Sequence, residues 1–223
     1  YQYRPRAQVF QAHRTTSEKA NKILGLVRRS YEYQDANVMK RLFTALVRPH
    51  LEFSNVAWSP RLDKDKKLLE SVQRRATKLI PALKDLDYED RLKAMELPSL
   101  AYRRARGDMI EVYKYTHGLY TVNTDLLQLD NGSVTRGHPH KLKKQYTRTA
   151  TRHHFFTNRV VDVWNGLPEK VVCAPSLNSF KNRLDKVWSD HLYNTKFPLQ
   201  HKSSNKLDVT SDDESEGLTG SQA

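Results

Sequence analysis

The stretch that most constrains this fold lies between Pro60 and Pro81. There Leu68, Leu69, Val72, Ala76, Leu79 and Ile80 recur at steps of three and four, which places them on one face of an α-helix. Asp63 is placed to cap the start, and Pro81 ends the helix because it lacks an amide and its ring clashes with the preceding turn. Arg74, Arg75 and Lys78 fall off the stripe and face water. Cations fixed behind an apolar anchor suit a phosphate backbone. The same spacing also serves a plain amphipathic helix with a solvated basic face.

Comparable stripes recur along the chain, so the expected class is mainly α. Residues 1–15 are polar, basic and aperiodic and read as a disordered lead-in. A helix from Thr16 or Ser17 follows, burying Ala20, Ile23, Leu24 and Val27, with Arg28 and Arg29 near its C-terminal, electronegative end. Asp35 caps a second helix that runs to about Val47 with Val38, Met39, Leu42, Phe43 and Leu46 on its apolar side. Pro49 predicts a break there, and Trp58 reads as a core residue of the segment up to Pro60. Asp87 caps a short helix carrying Leu92 and Met95. Ser99 caps a long one to about His117, with Leu100, Met109, Ile110 and Tyr113 inward and Gly118 as its stop. Arg103, Arg104 and Arg106 form a second cationic group on that helix, either solvated or paired in part with Asp108 and Glu111.

From Gly118 to His140 glycine and proline accumulate and the helical period disappears, which marks a linker. Next comes a dense basic stretch with Lys141, Lys143, Lys144, Arg148 and Arg152. Leu142 and Tyr146 interrupt it, and Thr147, Thr149 and Thr151 favour extended backbone. A basic hairpin or arm is expected, and cations mixed with aromatic and hydroxyl groups suit both phosphate contacts and base stacking. A solvated basic loop is the alternative. Phe155, Phe156, Val160, Val161, Val163 and Trp164 pack with a last helix capped by Ser176, whose inner face is Leu177, Phe180, Leu184, Val187 and Trp188. In residues 203–223 five carboxylates stand against Lys206 alone, among serines and glycines, and such a tail stays disordered.

The 223 residues carry 38 Lys and Arg against 25 Asp and Glu, a net charge of +13. That balance points to RNA, DNA or an acidic membrane surface. The membrane is the weakest of these, since no helix joins a strong apolar face to an evenly lysine-rich one. The polar start with Arg4 and Arg6 reads as no secretory leader, and the opening Tyr1 reads as a piece of a longer chain. Cys173 is the single cysteine; it excludes an internal disulfide, suits a reducing compartment and reads as a packing residue. No phosphate-binding glycine loop and no Gly-x-Ser-x-Gly elbow is present. The pairs His138 with His140 and His153 with His154 lack further ligands at metal spacing, and Asp63 with Asp65 and Glu89 with Asp90 suit helix starts. No catalytic residue, no metal ligand and no cofactor is assigned to this chain.

Three motifs flank and fill the central stretch: Val47-Arg48-Pro49-His50-Leu51-Glu52-Phe53, Val56-Ala57-Trp58-Ser59-Pro60, and Val72-Gln73-Arg74-Arg75-Ala76-Thr77-Lys78. They closely resemble the region C-terminal to the polymerase core in non-LTR (LINE-type, jockey-like) retrotransposon reverse transcriptases. Lys19 to Arg29, Leu97-Pro98-Ser99-Leu100, Arg103 to Asp108, and the block from Phe155-Phe156 through Trp164-Asn165 to Leu184-Asp185 are similar to the same family, so the resemblance covers about residues 17–190.

The residue pattern and the resemblance together give an order. A disordered lead-in (1–15) precedes a helical, thumb-like bundle (16–118) and a linker (119–137). A basic arm with a small α+β C-terminal subdomain (138–195) and a disordered acidic tail (196–223) follow. The resemblance also implies an intracellular fragment, nuclear or cytoplasmic, of an RNA-directed DNA polymerase. The thumb would hold primer–template through backbone phosphates, and the arm would grip RNA or target DNA. The palm, with its magnesium-binding carboxylates in an aromatic-x-Asp-Asp motif, would come from a polymerase core upstream. The one Asp-Asp here, Asp212-Asp213, follows Thr210-Ser211 in the tail and is rejected as a catalytic pair. The alternative is a co-opted or decayed remnant that serves as a protein-interaction module or has no function.

Overall fold

The apolar stripe between Pro60 and Pro81 is a helix, and the N-terminal half is built on it. A computed structural model of the chain describes residues 5–31, 35–53, 55–57, 59–120, 126–130 and 137–197, with backbone alone at 5–11, 150 and 151. In order the helices are α1 (Pro5–Ser30), α2 (Ala36–Leu42), α3 (Arg48–Glu52), α4 (Asp63–Lys78), α5 (Tyr88–Ala94) and α6 (Leu100–Thr116). Then come α7 (Ala150–His153), α8 (Phe156–Arg159), α9 (Val161–Asn165), α10 (Glu169–Val172) and α11 (Leu177–Val187). Among the described residues no helix is long and apolar enough to cross a membrane.

Helix α1 lies along α4 and α3. It begins at Pro5, not at Thr16 or Ser17, so residues 5–15 are not the disordered lead-in that their polarity suggested. The buried row explains the difference: His13, Ser17, Ala20, Leu24 and Val27 keep helical spacing, but its first two members are polar and leave no apolar signal. Pro5 stands at the first helical position, where a missing amide is harmless.

Pro49 does not break the second helix. The chain passes from α2 through a π-helical turn, Phe43–Val47, straight into α3, where Pro49 occupies the first turn. The wider turn closes with Arg48 N–H donating to the Phe43 carbonyl. It also changes the period: Met39, Phe43, Val47 and Leu51 point inward at every fourth residue. Val38 and Leu46, expected inside, are exposed.

Caps were legible where the side chain is short. Asp35 accepts from the Asn37 and Val38 amides at 2.9 and 3.4 Å, Ser99 from Tyr102 at 3.1 Å, and Ser176 from Ser179 at 3.2 Å. Asp63 is instead the first residue of α4, where its charge suits the helix dipole, and Asp87 precedes α5 without a side-chain cap bond. Gly118, at φ +65°, ends α6 in a left-handed turn closed by Leu119 N–H to the Lys114 carbonyl at 2.9 Å.

Two apolar clusters organise the described residues. The first gathers α1, the π-turn, α4 and α5 around Phe43, Val72 and Leu92 and reaches Leu100. The second sets Tyr102, Met109, Val112 and Tyr113 of α6 against Trp164, Val172, Phe180 and Leu184. The change of core therefore falls at the start of α6, and that helix is a wall of the second core. Ser99 strengthens the junction: its amide donates to the Leu192 carbonyl at 3.0 Å and its hydroxyl to the Asn194 carbonyl at 2.7 Å.

The mainly α class holds; the α+β C-terminal subdomain does not. Among the described residues there is no strand, only one antiparallel bridge between Leu129 and Leu142. Cys173 is exposed just after α10 and is not a packing residue. Trp58 and the acidic stretch 203–223 lie outside the described residues.

A buried ion pair fastens the halves. The Arg159 guanidinium donates to both Asp108 oxygens at 3.0 and 2.9 Å, and to the carbonyls of Asn55 and Val56 at 3.3 and 3.1 Å. Burial pushes the Asp108 carboxyl above its usual range, and Arg159 pulls the other way. Asp108→Asn leaves that guanidinium buried beside a neutral amide. Urea unfolding at neutral pH should show a loss of about 3–5 kcal/mol; a loss below about 1 kcal/mol contradicts the fastening role.

Candidate nucleic-acid interface

The cations singled out in the sequence separate into two kinds. Arg74, Arg75 and Lys78 project from the exposed side of α4. The Arg74 guanidinium lies over the Tyr88 ring at 4.6 Å, and Arg75 Nη1 donates to Asn21 Oδ1 at 2.7 Å. Neither contact neutralises charge, and none of the three has an ion-pair partner among the described residues. They are outward cations, as the helical spacing predicts.

Arg103, Arg104 and Arg106 are not an outward cluster, which corrects their reading as phosphate-positioning groups. Successive helical residues point about 100° apart, so the three leave α6 in different directions. Arg103 pairs with Glu52, one of its bonds measuring 2.8 Å. Arg106 grips Asp185 of α11 through two bonds of 2.6 and 2.8 Å, and the Tyr102 hydroxyl donates to the same carboxylate at 3.0 Å. Arg104 is buried; burial lowers its pKa, and Glu70, Asp108 and Glu52 oppose that. All three fix the fold.

The basic arm from Lys143 to Thr147 forms neither helix nor strand. Two asparagines take the place of a partner strand. An asparagine amide offers one acceptor and an NH2 donor, matching a peptide group. Asn165 accepts from the Leu142 amide and donates to the Leu142 carbonyl, both at 2.9 Å. Asn158 does the same for Gln145 at 3.3 and 3.0 Å. Upstream, the buried His138 Nε2 meets the Trp164 carbonyl at 3.1 Å, and Trp164 Nε1 donates to the His140 carbonyl at 2.8 Å. The Thr149 hydroxyl accepts from the Arg152 amide at 3.3 Å as α7 begins, so the extended run expected through Thr151 stops there.

This pinning sorts the side chains of the arm. Leu142 is buried, and Lys141 is half-buried with the end of its side chain against Gly137, whose φ of +137° favours glycine. Lys144 pairs with Asp162. Lys143 and Arg148 are exposed without an ion pair among the described residues, and Arg152 lies over the Phe155 ring at 5.1 Å. Between these cations Tyr146 is 95% exposed. A ring standing free in a basic row is a platform on which a base can stack.

One concentration of charge was invisible in the sequence. Arg159 holds the loop at Asn55 and Val56, and the charges of Arg61 and Lys66 reach His154. The rings of His153 and His154 meet edge-on at 5.3 Å. His154 is pushed down to about 4, first by burial and then by the charges of His153, Arg61, Lys66 and Arg159. No local motif signals it, because its members come from stretches far apart in the sequence. Among the described residues no group of three His, Cys, Asp or Glu could hold a metal ion.

The asparagine clasp is open to test. Asn165→Ala strips the partners from a buried stretch of backbone at Leu142. The fold should lose about 1–3 kcal/mol, and amide exchange at Leu142 should accelerate toward that of an open chain. Unchanged exchange would show that the arm is held by other contacts. No protein-family model, curated protein or solved structure matches this chain.

Proposed function

We propose that this chain is the thumb-like, post-palm C-terminal region of a non-LTR retrotransposon reverse transcriptase, and that it holds RNA or DNA by its phosphate backbone. The motifs between Val47 and Lys78 support the family reading. The observation that carries the binding reading is the pinned arm, where the exposed cations Lys143, Arg148 and Arg152 flank the exposed Tyr146 in sequence. Positive groups held on a fixed backbone release condensed counterions when they meet phosphate, and a stacked ring adds affinity without reading sequence. Arg74, Arg75 and Lys78 supply a second face of the same kind. The bond-forming step and its magnesium ions belong to a palm contributed by a polymerase core, a partner of this region and not a part of it.

A second reading, a co-opted module that binds protein, has one support in the exposed apolar side chains Leu26, Tyr31, Val38 and Leu46. Salt dependence separates the two. Affinity for a short RNA–DNA duplex should fall steeply with salt, and neutralising Lys143, Arg148 and Arg152 to Gln should flatten the slope of log K against log salt by about two to three. Neutralising Arg103 and Arg106 should lower the melting temperature and leave the slope of the folded fraction unchanged. Flat binding across salt, or a triple variant that binds like the parent, overturns the reading.

A further inference from the structure

We infer that the acidic stretch 208–216 docks on the outer face of α4, against Arg74, Arg75 and Lys78, and competes there with the phosphate backbone. The competition rests on the nucleic-acid reading above; the contact itself does not.

The face is open to an anion. Arg74 and Lys78 stand four residues apart, and Arg75 and Lys78 three, so the side chains share one side of the helix within about 6 Å of its length. All three are exposed, and none has an ion pair among the described residues. The acids around them are taken or turned away. Glu70 of the same helix is buried and accepts from the Tyr88 hydroxyl at 2.7 Å. Asp87, Glu89 and Asp90 line a cleft with Arg74, but Asp90 pairs with Lys93 at 3.0 Å and none of the three forms a salt bridge to Arg74.

The fold delivers the acids to this face. Gln73 Nε2 donates to the Pro98 carbonyl at 2.9 Å. The next residue, Ser99, donates to the Leu192 carbonyl at 3.0 Å and to the Asn194 carbonyl at 2.7 Å. These bonds fasten the segment after α11 beside the residue that precedes Arg74. Thr195 accordingly lines the same cleft as Arg74 and Tyr88, a space of about 310 Å³. The described residues end two positions later, at Phe197. Asp212, Asp213, Glu214 and Glu216 follow fifteen to nineteen residues beyond it, four carboxylates in five positions, as Arg74, Arg75 and Lys78 are three cations in five. Fifteen residues cover about 50 Å when extended, many times the length of the cationic face, and a tethered group acts at an effective concentration in the millimolar range. Each exposed ion pair is weak and screened by salt, so the docked stretch yields to a longer polyanion.

The test uses the whole chain at about 50 mM salt and compares the parent with a neutral-tail variant carrying Asp208→Asn, Asp212→Asn, Asp213→Asn, Glu214→Gln and Glu216→Gln. Without nucleic acid, the side-chain NMR signals of Arg74 and Arg75 should differ between the two proteins, those of Arg148 should not, and the difference should be the same at every protein concentration. Coincident Arg74 and Arg75 signals overturn the contact. A difference that grows with concentration puts the acids on a second copy and overturns docking within one chain. The neutral-tail variant should also bind a short RNA–DNA duplex about three- to tenfold more tightly, a gap that closes by about 300 mM salt. Arg74→Gln, Arg75→Gln and Lys78→Gln together separate docking from net charge. In that background, neutralising the acids should change affinity less than about twofold, because the competed face is gone. An equal gain in both backgrounds is diffuse repulsion and overturns the docking. If neither protein binds duplex at low salt, the nucleic-acid reading falls, and the arginine signals alone decide the contact.

Discussion

The pairing of Arg159 with Asp108 is the contact on which the rest of the structure depends. It joins α8 to α6, and through the Asn55 and Val56 carbonyls it reaches back to the loop before α4. A guanidinium suits this place because its planar fork meets a carboxylate with two parallel bonds and still has a donor edge for carbonyls. Burying such a pair is costly in itself, so its value lies in geometry: only one docking of the two halves satisfies both ions.

The same economy of charge runs through α6. A strongly basic chain must neutralise part of its charge to stay folded. Here Glu52, Asp185 and Asp108 hold arginines at packing seams, while Lys143, Arg148 and the α4 cations stay outside. Where an arginine sits relative to distant acids decides its role more than the density of charge around it.

This explains what the sequence could disclose. Helical spacing at Leu69, Val72 and Ala76 and short capping side chains at Asp35, Ser99 and Ser176 are local, and they were readable. The outward place of Arg74, Arg75 and Lys78 followed from the same local geometry. Everything set by residues far apart was hidden: Glu52 meeting Arg103, Asp185 meeting Arg106, and Arg159 meeting Asp108. The polar members of the α1 row and the π-turn before Pro49 were missed for another reason. Apolar periodicity cannot register a buried histidine or serine, nor a change in residues per turn.

Helix α6 has a consequence for how this chain can be divided. Its first residue closes one core, and its next four turns line the other. A product that stops at Gly118 would carry Tyr102, Met109, Val112 and Tyr113 with nothing to cover them, and would tend to associate with itself. One that starts beyond Gly118 would lack the wall on which Phe180 and Trp164 rest. The stretch rich in glycine and proline looks like a natural place to cut, yet the two halves can be inherited or expressed usefully only together.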